Sequence, residues 1–152
     1  MQPPEVIKPA KLADYLEVLS KAVFESGMSW RVVESKWPGF REAFRGFDPE
    51  YVASLSPDDV DRLTTDTRII RNRRKIEATI HNASALLDAD HEFSGFGRYL
   101  RSCGSFDELS ADLRKRFKHF GAFGTYYFLY VVGEPVPPHE EFRAKLAKTK
   151  GE

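Results

Sequence analysis

The sequence predicts an all-helical fold, on three observations: apolar residues recur at spacings of three and four, proline and glycine signals cut the chain into short segments, and alternating strand patterns hardly occur. Leu12, Tyr15, Leu16, Leu19, Ala22 and Val23 repeat at helical spacing, and Gly27 follows as a stop. Ser29 can cap a second helix from Trp30 to about Trp37, which Pro38-Gly39 should end; Phe40, Ala43 and Phe44 suggest one more short helix before Gly46. Asp48-Pro49 and Ser56-Pro57-Asp58-Asp59 are cap-then-proline starts with acids near the positive end of the helix dipole, so two short helices should follow. The longest helix should run from about Asn72 to Leu87, with Ile76, Ile80, Ala83 and Leu87 on one face. Further helices are expected at about 94–102, 105–109 and 110–116. The apolar run Ala122 to Val132 suits a buried helix or a strand by periodicity, and its length and helical surroundings favour helix. A proline-rich turn and a polar tail helix fill 134–152.

With 152 residues and no internal repeat or linker, the chain is expected to be a single domain over 1–152 around one core. A hydrophobic content of 41% is too high for disorder. Formal net charge is zero, so a polyanionic partner has to be argued from local patches. Two exist, both without acids: Arg68 to Lys75 carries Arg68, Arg71, Arg73, Arg74 and Lys75, and Arg114 to Lys118 carries four cations. The single Cys103 excludes an internal disulfide and a multi-cysteine metal cage, which predicts an intracellular protein. No apolar run is long enough for a membrane span, and the Met-Gln-Pro-Pro-Glu start lacks the blocks of a signal peptide.

Three segments carry more information. The first is Glu25-Ser-Gly27-Met28-Ser29-Trp30. The second holds Phe47-Asp-Pro, Val52-Ala53, Asp59-Val60, Leu63, then Ile69-Ile70-Arg71-Asn72-Arg73-Arg74-Lys75-Ile76 and Asn82-Ala83. The third is Leu113-Arg-Lys-Arg-Phe117-Lys118-His119-Phe120-Gly121. In this order and spacing, across about residues 12–133, they resemble the DNA-3-methyladenine glycosylase I family. That resemblance implies a helix-hairpin-helix DNA glycosylase-like helical bundle, a base-excision repair enzyme that flips an alkylated or otherwise modified purine out of DNA and hydrolyses its glycosidic bond.

Roles follow from the resemblance. Phe117, Lys118, His119, Phe120 and Gly121 would form the hairpin that holds a phosphate on backbone N–H groups and a helix N-terminus. Arg116 would add Coulomb attraction to it. Arg71, Arg73, Arg74 and Lys75 would grip the DNA backbone. Gly27 and Met28 would wedge into the gap left by the extruded base, and Trp30 would stack on that base. The implied partner is double-stranded DNA containing a damaged base, bound by a monomer, with no membrane, in the cytoplasm and at the bacterial nucleoid when on DNA.

The sequence also departs from the family. The family's zinc is held by paired cysteines and histidines; here only Cys103 and the scattered His81, His91, His119 and His139 are available, so neither a metal nor any other cofactor is expected. Counting back from Trp30, the family's base-reading glutamate falls on Ala22. Glu25, one turn later on roughly the same face, is a candidate replacement, and Glu140 is a second candidate catalytic acid after Gly133-Glu134-Pro135. With the glutamate replaced, a helix-hairpin-helix module that binds DNA without cutting it stays open as the alternative.

Overall fold

α5 (Arg73–Glu92) is the spine of the molecule, and its sequence explains why. Asn72 caps it by accepting from the backbone N–H of Lys75 at 3.1 Å, and Ile76, Thr79, Ala83 and Leu86 recur every three or four residues and are fully buried. The computed structural model describes residues 4–150, and the regular elements among them are all helical. Before α5 come α1 (Leu12–Glu25), α2 (Trp30–Ala43), a 3-10 turn (Arg45–Phe47), α3 (Pro49–Ala53) and α4 (Pro57–Leu63). After it come α6 (Phe96–Leu100), α7 (Phe106–Arg116), α8 (Ala122–Val131) and α9 (His139–Lys150). α1, α3, α4 and α6 all pack on α5, and α8 lies against α1, so one core runs from Leu16 to Val132. α4 starts with a reciprocal Ser56–Asp59 capping box, and Ser105 caps α7 through the N–H of Glu108.

α2 corrects an expectation. Pro38-Gly39 does not end it; the helix runs through to Ala43. Pro38 removes one helix hydrogen bond, but Trp37, Phe40, Phe44 and Phe47 form a continuous aromatic stack, with centroids 4.8, 6.3 and 5.4 Å apart along the series from Trp37–Phe40 to Phe44–Phe47. Burying such rings outweighs one missing bond. Gly39 is needed for space: a Cβ there would sit 2.2 Å from the carbonyl oxygen of Arg68.

α7 is likewise one helix and not two, because nothing between Leu109 and Ser110 breaks it and Leu109, Ser110 and Leu113 share a buried face. α5 extends to Glu92, beyond the expected Leu87, and α6 is shorter than the expected 94–102. The apolar run is helical, as α8. In the tail, Phe142 stacks on Tyr126 at 4.3 Å and anchors α9 on the side of α8 that also meets Phe106.

Candidate active site and DNA-facing turns

The α1–α2 turn and the α7–α8 turn are both exposed, and both are tied to α5. Between α1 and α2, Gly27 adopts φ +73° with open space around it, so its glycine serves the backbone conformation. Beside it Met28 is 37% exposed and Trp30, the first residue of α2, 47% exposed, with the Arg31 guanidinium 5.6 Å from the Trp30 ring. Underneath, the ammonium of Lys75 donates to the carbonyls of Phe24 at 2.9 Å and Ser26 at 2.5 Å. A cation thus satisfies carbonyls at the C-terminal end of α1, where the helix dipole is negative.

Two helical turns along α5, Asn82 performs the equivalent task for the other turn. Its side chain accepts from the backbone N–H of Lys118 at 2.8 Å and donates to the carbonyl of Lys118 at 3.1 Å. Phe117 and Phe120 plug the core on either side, while Lys118, His119 and Gly121 remain exposed. His119 takes the left-handed conformation at φ +54°. Gly121 offers α8 no side-chain cap, so the N–H groups of its first turn are open to an anion. Lys75 and Asn82 lie seven residues apart on one face of α5, which sets the two turns about 10 Å apart along its axis.

A third feature lies between them. Lys21 and Glu25 are one turn apart on α1, and Trp30 and Glu34 one turn apart on α2. Lys21 joins the two helices by an ion pair to Glu34 at 2.7 Å and places its ammonium 5.4 Å from the Trp37 ring. α8 closes the corner, with Gly124 against Ala22 and the half-buried Tyr127 one turn further on. Burial raises the pKa of Glu25 above the ordinary carboxylate value, Lys21 opposes that, and Glu34 adds to it. Burial also pushes the Tyr127 phenol above its ordinary value, helped by the charges of Glu25 and Glu34. The corner thus carries an exposed indole, a half-buried carboxylate and a phenolic donor, groups of the kind that a planar cation attracts.

Several expected contact residues are placed otherwise. Lys75 is buried and bonded to carbonyls, so it is a brace inside the protein where a phosphate grip was expected. Arg73 is committed to Asp61 at 2.5 Å and lies 3.9 Å from Glu77. Arg116 pairs with Asp112 and Glu92 at 2.9 and 3.0 Å and packs over Tyr99. Phe117 and Phe120 reach into the core with their rings, leaving only their backbone for the hairpin. Arg71, Arg74 and Lys118 are exposed and have no acidic partner among the described residues. Glu140 is exposed on α9, which docks through Tyr126; Tyr126 and Tyr127 point about 100° apart on α8, so Glu140 is not brought to the corner. Ala22 is buried, closes the floor and offers no polar atom to a base. The residues do not fit the zinc site of the family: among the described residues no three His, Cys, Asp or Glu side chains converge.

Sequence reasoning missed Lys21, Glu34 and Tyr127. The first two had a signal, since Lys21/Glu25 and Trp30/Glu34 are parallel i, i+4 pairs on consecutive helices. Tyr127 had none, being one aromatic inside an apolar run.

Comparison with known proteins bears on the fold and the family. The chain is 33% identical over 146 residues to DNA-3-methyladenine glycosylase 1 of Escherichia coli K12, covering 77% of this chain and 78% of the relative. It is 35% identical over 78 residues to the DNA-3-methyladenine glycosylase of Haemophilus influenzae, covering 51% of this chain and 42% of that protein. The fold superposes on 3-methyladenine DNA glycosylase I from Staphylococcus aureus with a TM-score of 0.73 and 26% identity, over 87% of this chain and 79% of the other. Among the described residues no helix is long and apolar enough to cross a membrane. The model of the methyladenine glycosylase family matches residues 9–112, from the start of α1 through most of α7, and the chain belongs to that family.

Proposed function

We propose that this chain is a DNA glycosylase of base-excision repair, which turns an alkylated purine of the 3-methyladenine type out of double-stranded DNA and hydrolyses its N-glycosidic bond. The observation that carries this reading is the corner of Trp30, Glu25 and Glu34, one step from an exposed glycine turn and braced to the hairpin through α5. It is supported by the family and by relatives named for that activity.

The hairpin from Lys118 to Gly121 receives a backbone phosphate on the open N–H groups of α8, with Lys118, Arg71 and Arg74 supplying long-range attraction. Gly27 and Met28 enter the stack and offset part of the unstacking cost, which is on the order of a few kcal/mol. The extruded base lies on Trp30. An alkylated purine carries positive charge, and the indole face attracts it by about 0.5–2 kcal/mol. Glu25 and Glu34 supply negative charge for this cation, against the positive charge of Lys21, which pairs with Glu34, and of Arg31 beside the Trp30 ring. Water then adds to C1′ of the sugar as the C1′–N bond breaks; the bonding pair neutralises the purine, and a proton leaves to solvent. Glu25, ionised, accepts from the base or stabilises the cationic sugar. The protein works as a single domain and a monomer, in the cytoplasm where bacterial DNA lies.

A second reading has one observation in its favour. Ala22 stands where the resemblance expects a glutamate, and a module that holds DNA without releasing a base would keep both turns and lose that residue. Chromatography of bases released from methylated duplex DNA separates the two. Release of 3-methyladenine supports the enzyme; salt-sensitive binding with no release supports the module; no binding at low salt removes both.

A further inference from the structure

We infer that His81 is a further DNA-binding residue of the α7–α8 turn, one that takes up a proton from solvent when duplex DNA binds. This rests on that turn being the DNA-binding hairpin. His81 is exposed on α5, next to the buried Asn82 that holds Lys118. Its Nε2 lies 3.2 Å from the carbonyl oxygen of Arg116, the last residue of α7. Two consecutive residues of α5 thus grip the turn, His81 at Arg116 and Asn82 at Lys118.

The bond fixes the chemistry of the ring. A carbonyl oxygen only accepts, so Nε2 carries the hydrogen and, in neutral His81, Nδ1 is a bare acceptor. Nδ1 has no partner among the described residues. A phosphate oxygen also only accepts, so it meets a repelling lone pair until Nδ1 is protonated. Protonation keeps the bond to Arg116, makes it charge-assisted at the negative end of the α7 dipole, and adds a donor.

The charges around the ring tie this proton to DNA. Along α5 stand Glu77 one turn back, and Arg74 and Asp88 two turns away on either side. Beside the carbonyl it holds are Lys115, Arg116, Lys118 and His119. Among the described residues only Arg116 of these is paired with acids, Asp112 and Glu92. In the free protein these cations oppose another positive charge at the turn. A phosphate strand laid across the turn cancels their field and favours the imidazolium. Linkage is reciprocal: a proton that tightens DNA binding is a proton that DNA binding takes up. Histidine ordinarily changes charge between about pH 5 and 8, so the uptake falls within the working range.

The test is fluorescence anisotropy with an undamaged duplex carrying a pH-insensitive dye, titrated at about pH 6 and about pH 8 over a series of salt concentrations. His81→Gln retains an N–H for the Arg116 carbonyl, and unchanged circular dichroism and melting confirm its fold. Comparing two proteins that differ only at position 81 cancels the contribution of His119, which is also exposed in the turn. At the lower pH the expected result is that His81→Gln binds about tenfold more weakly than wild type and releases about one counterion fewer. At the higher pH the two should agree within about twofold, with equal salt slopes. An equal change of affinity with pH in both proteins overturns the role of His81 and leaves the glycosylase reading standing. A loss of the same size at both pH values makes His81 a brace of the turn only, and likewise overturns it. No binding of duplex by wild type at low salt, at either pH, overturns the DNA reading as well.

Discussion

The two exposed turns and the corner of α1, α2 and α8 are built on opposite principles. Each turn is fastened to α5 by a side chain whose polar atoms are spent inside the protein, Lys75 on the carbonyls of Phe24 and Ser26, and Asn82 on both backbone groups of Lys118. The corner keeps polar groups in reserve: Glu25 is half-buried with a raised pKa, and the Tyr127 hydroxyl is unpartnered among the described residues. In the proposed function, the fixed turns set where DNA lies and the unspent groups of the corner meet the base. The departure at Ala22 falls in the second part and leaves the first intact.

That contrast can be broken in order of expected effect. Asn82→Leu removes both partners of Lys118 and should cost about 3 kcal/mol in denaturant unfolding, because a backbone donor and acceptor are left unpaired, together with at least a tenfold loss of DNA affinity. Lys75→Met frees the carbonyls below the α1–α2 turn; single-turnover base release should fall about tenfold while DNA affinity stays within about twofold, since the α7–α8 turn is untouched. Arg74→Gln and Lys118→Gln should each lower the salt dependence of DNA binding by about one counterion, whereas Arg73→Gln changes it less because Arg73 already faces Asp61 and Glu77. An equal effect of Arg73 and Arg74 would remove the distinction between paired and free cations.

The smallest effect concerns stability and carries a sign. Burial raises the folded-state pKa of Glu25 above its unfolded value, so its contribution to stability is full below the unfolded value and is lost as pH rises through the folded one. Wherever the carboxylate is ionised it is therefore a cost. Glu25→Gln should melt at the same temperature or about a degree higher near pH 7, and a clear drop in melting temperature would contradict that.

The parts of this molecule legible in its sequence are those with local causes. Asn72, Ser56 and Ser105 announce helix starts, and the i, i+3, i+4 pattern of Ile76, Ala83 and their neighbours announces α5. Pro38-Gly39 misleads because its local signal is overridden by an aromatic stack that reaches beyond α2 to Phe44 and Phe47 and by a close approach to Arg68. The basic run Arg71 to Lys75 misleads for a related reason: the sequence displays charge but not whether it points out, as Arg74 does, or in, as Lys75 does. Tyr127 comes under the electrostatic influence of Glu25 across more than a hundred residues of chain, and no spacing rule reports that.

The central claim is that Glu25, standing one turn beyond Ala22, supplies the carboxylate of the pocket. Single-turnover release of 3-methyladenine from duplex DNA, followed against pH for wild type and Glu25→Gln, tests it most directly. The account predicts that wild-type release falls as pH drops through a pKa above the ordinary glutamate value, and that Glu25→Gln is about 100-fold slower, loses that pH dependence and binds DNA unchanged. Equal release by the two proteins across the pH range would contradict it.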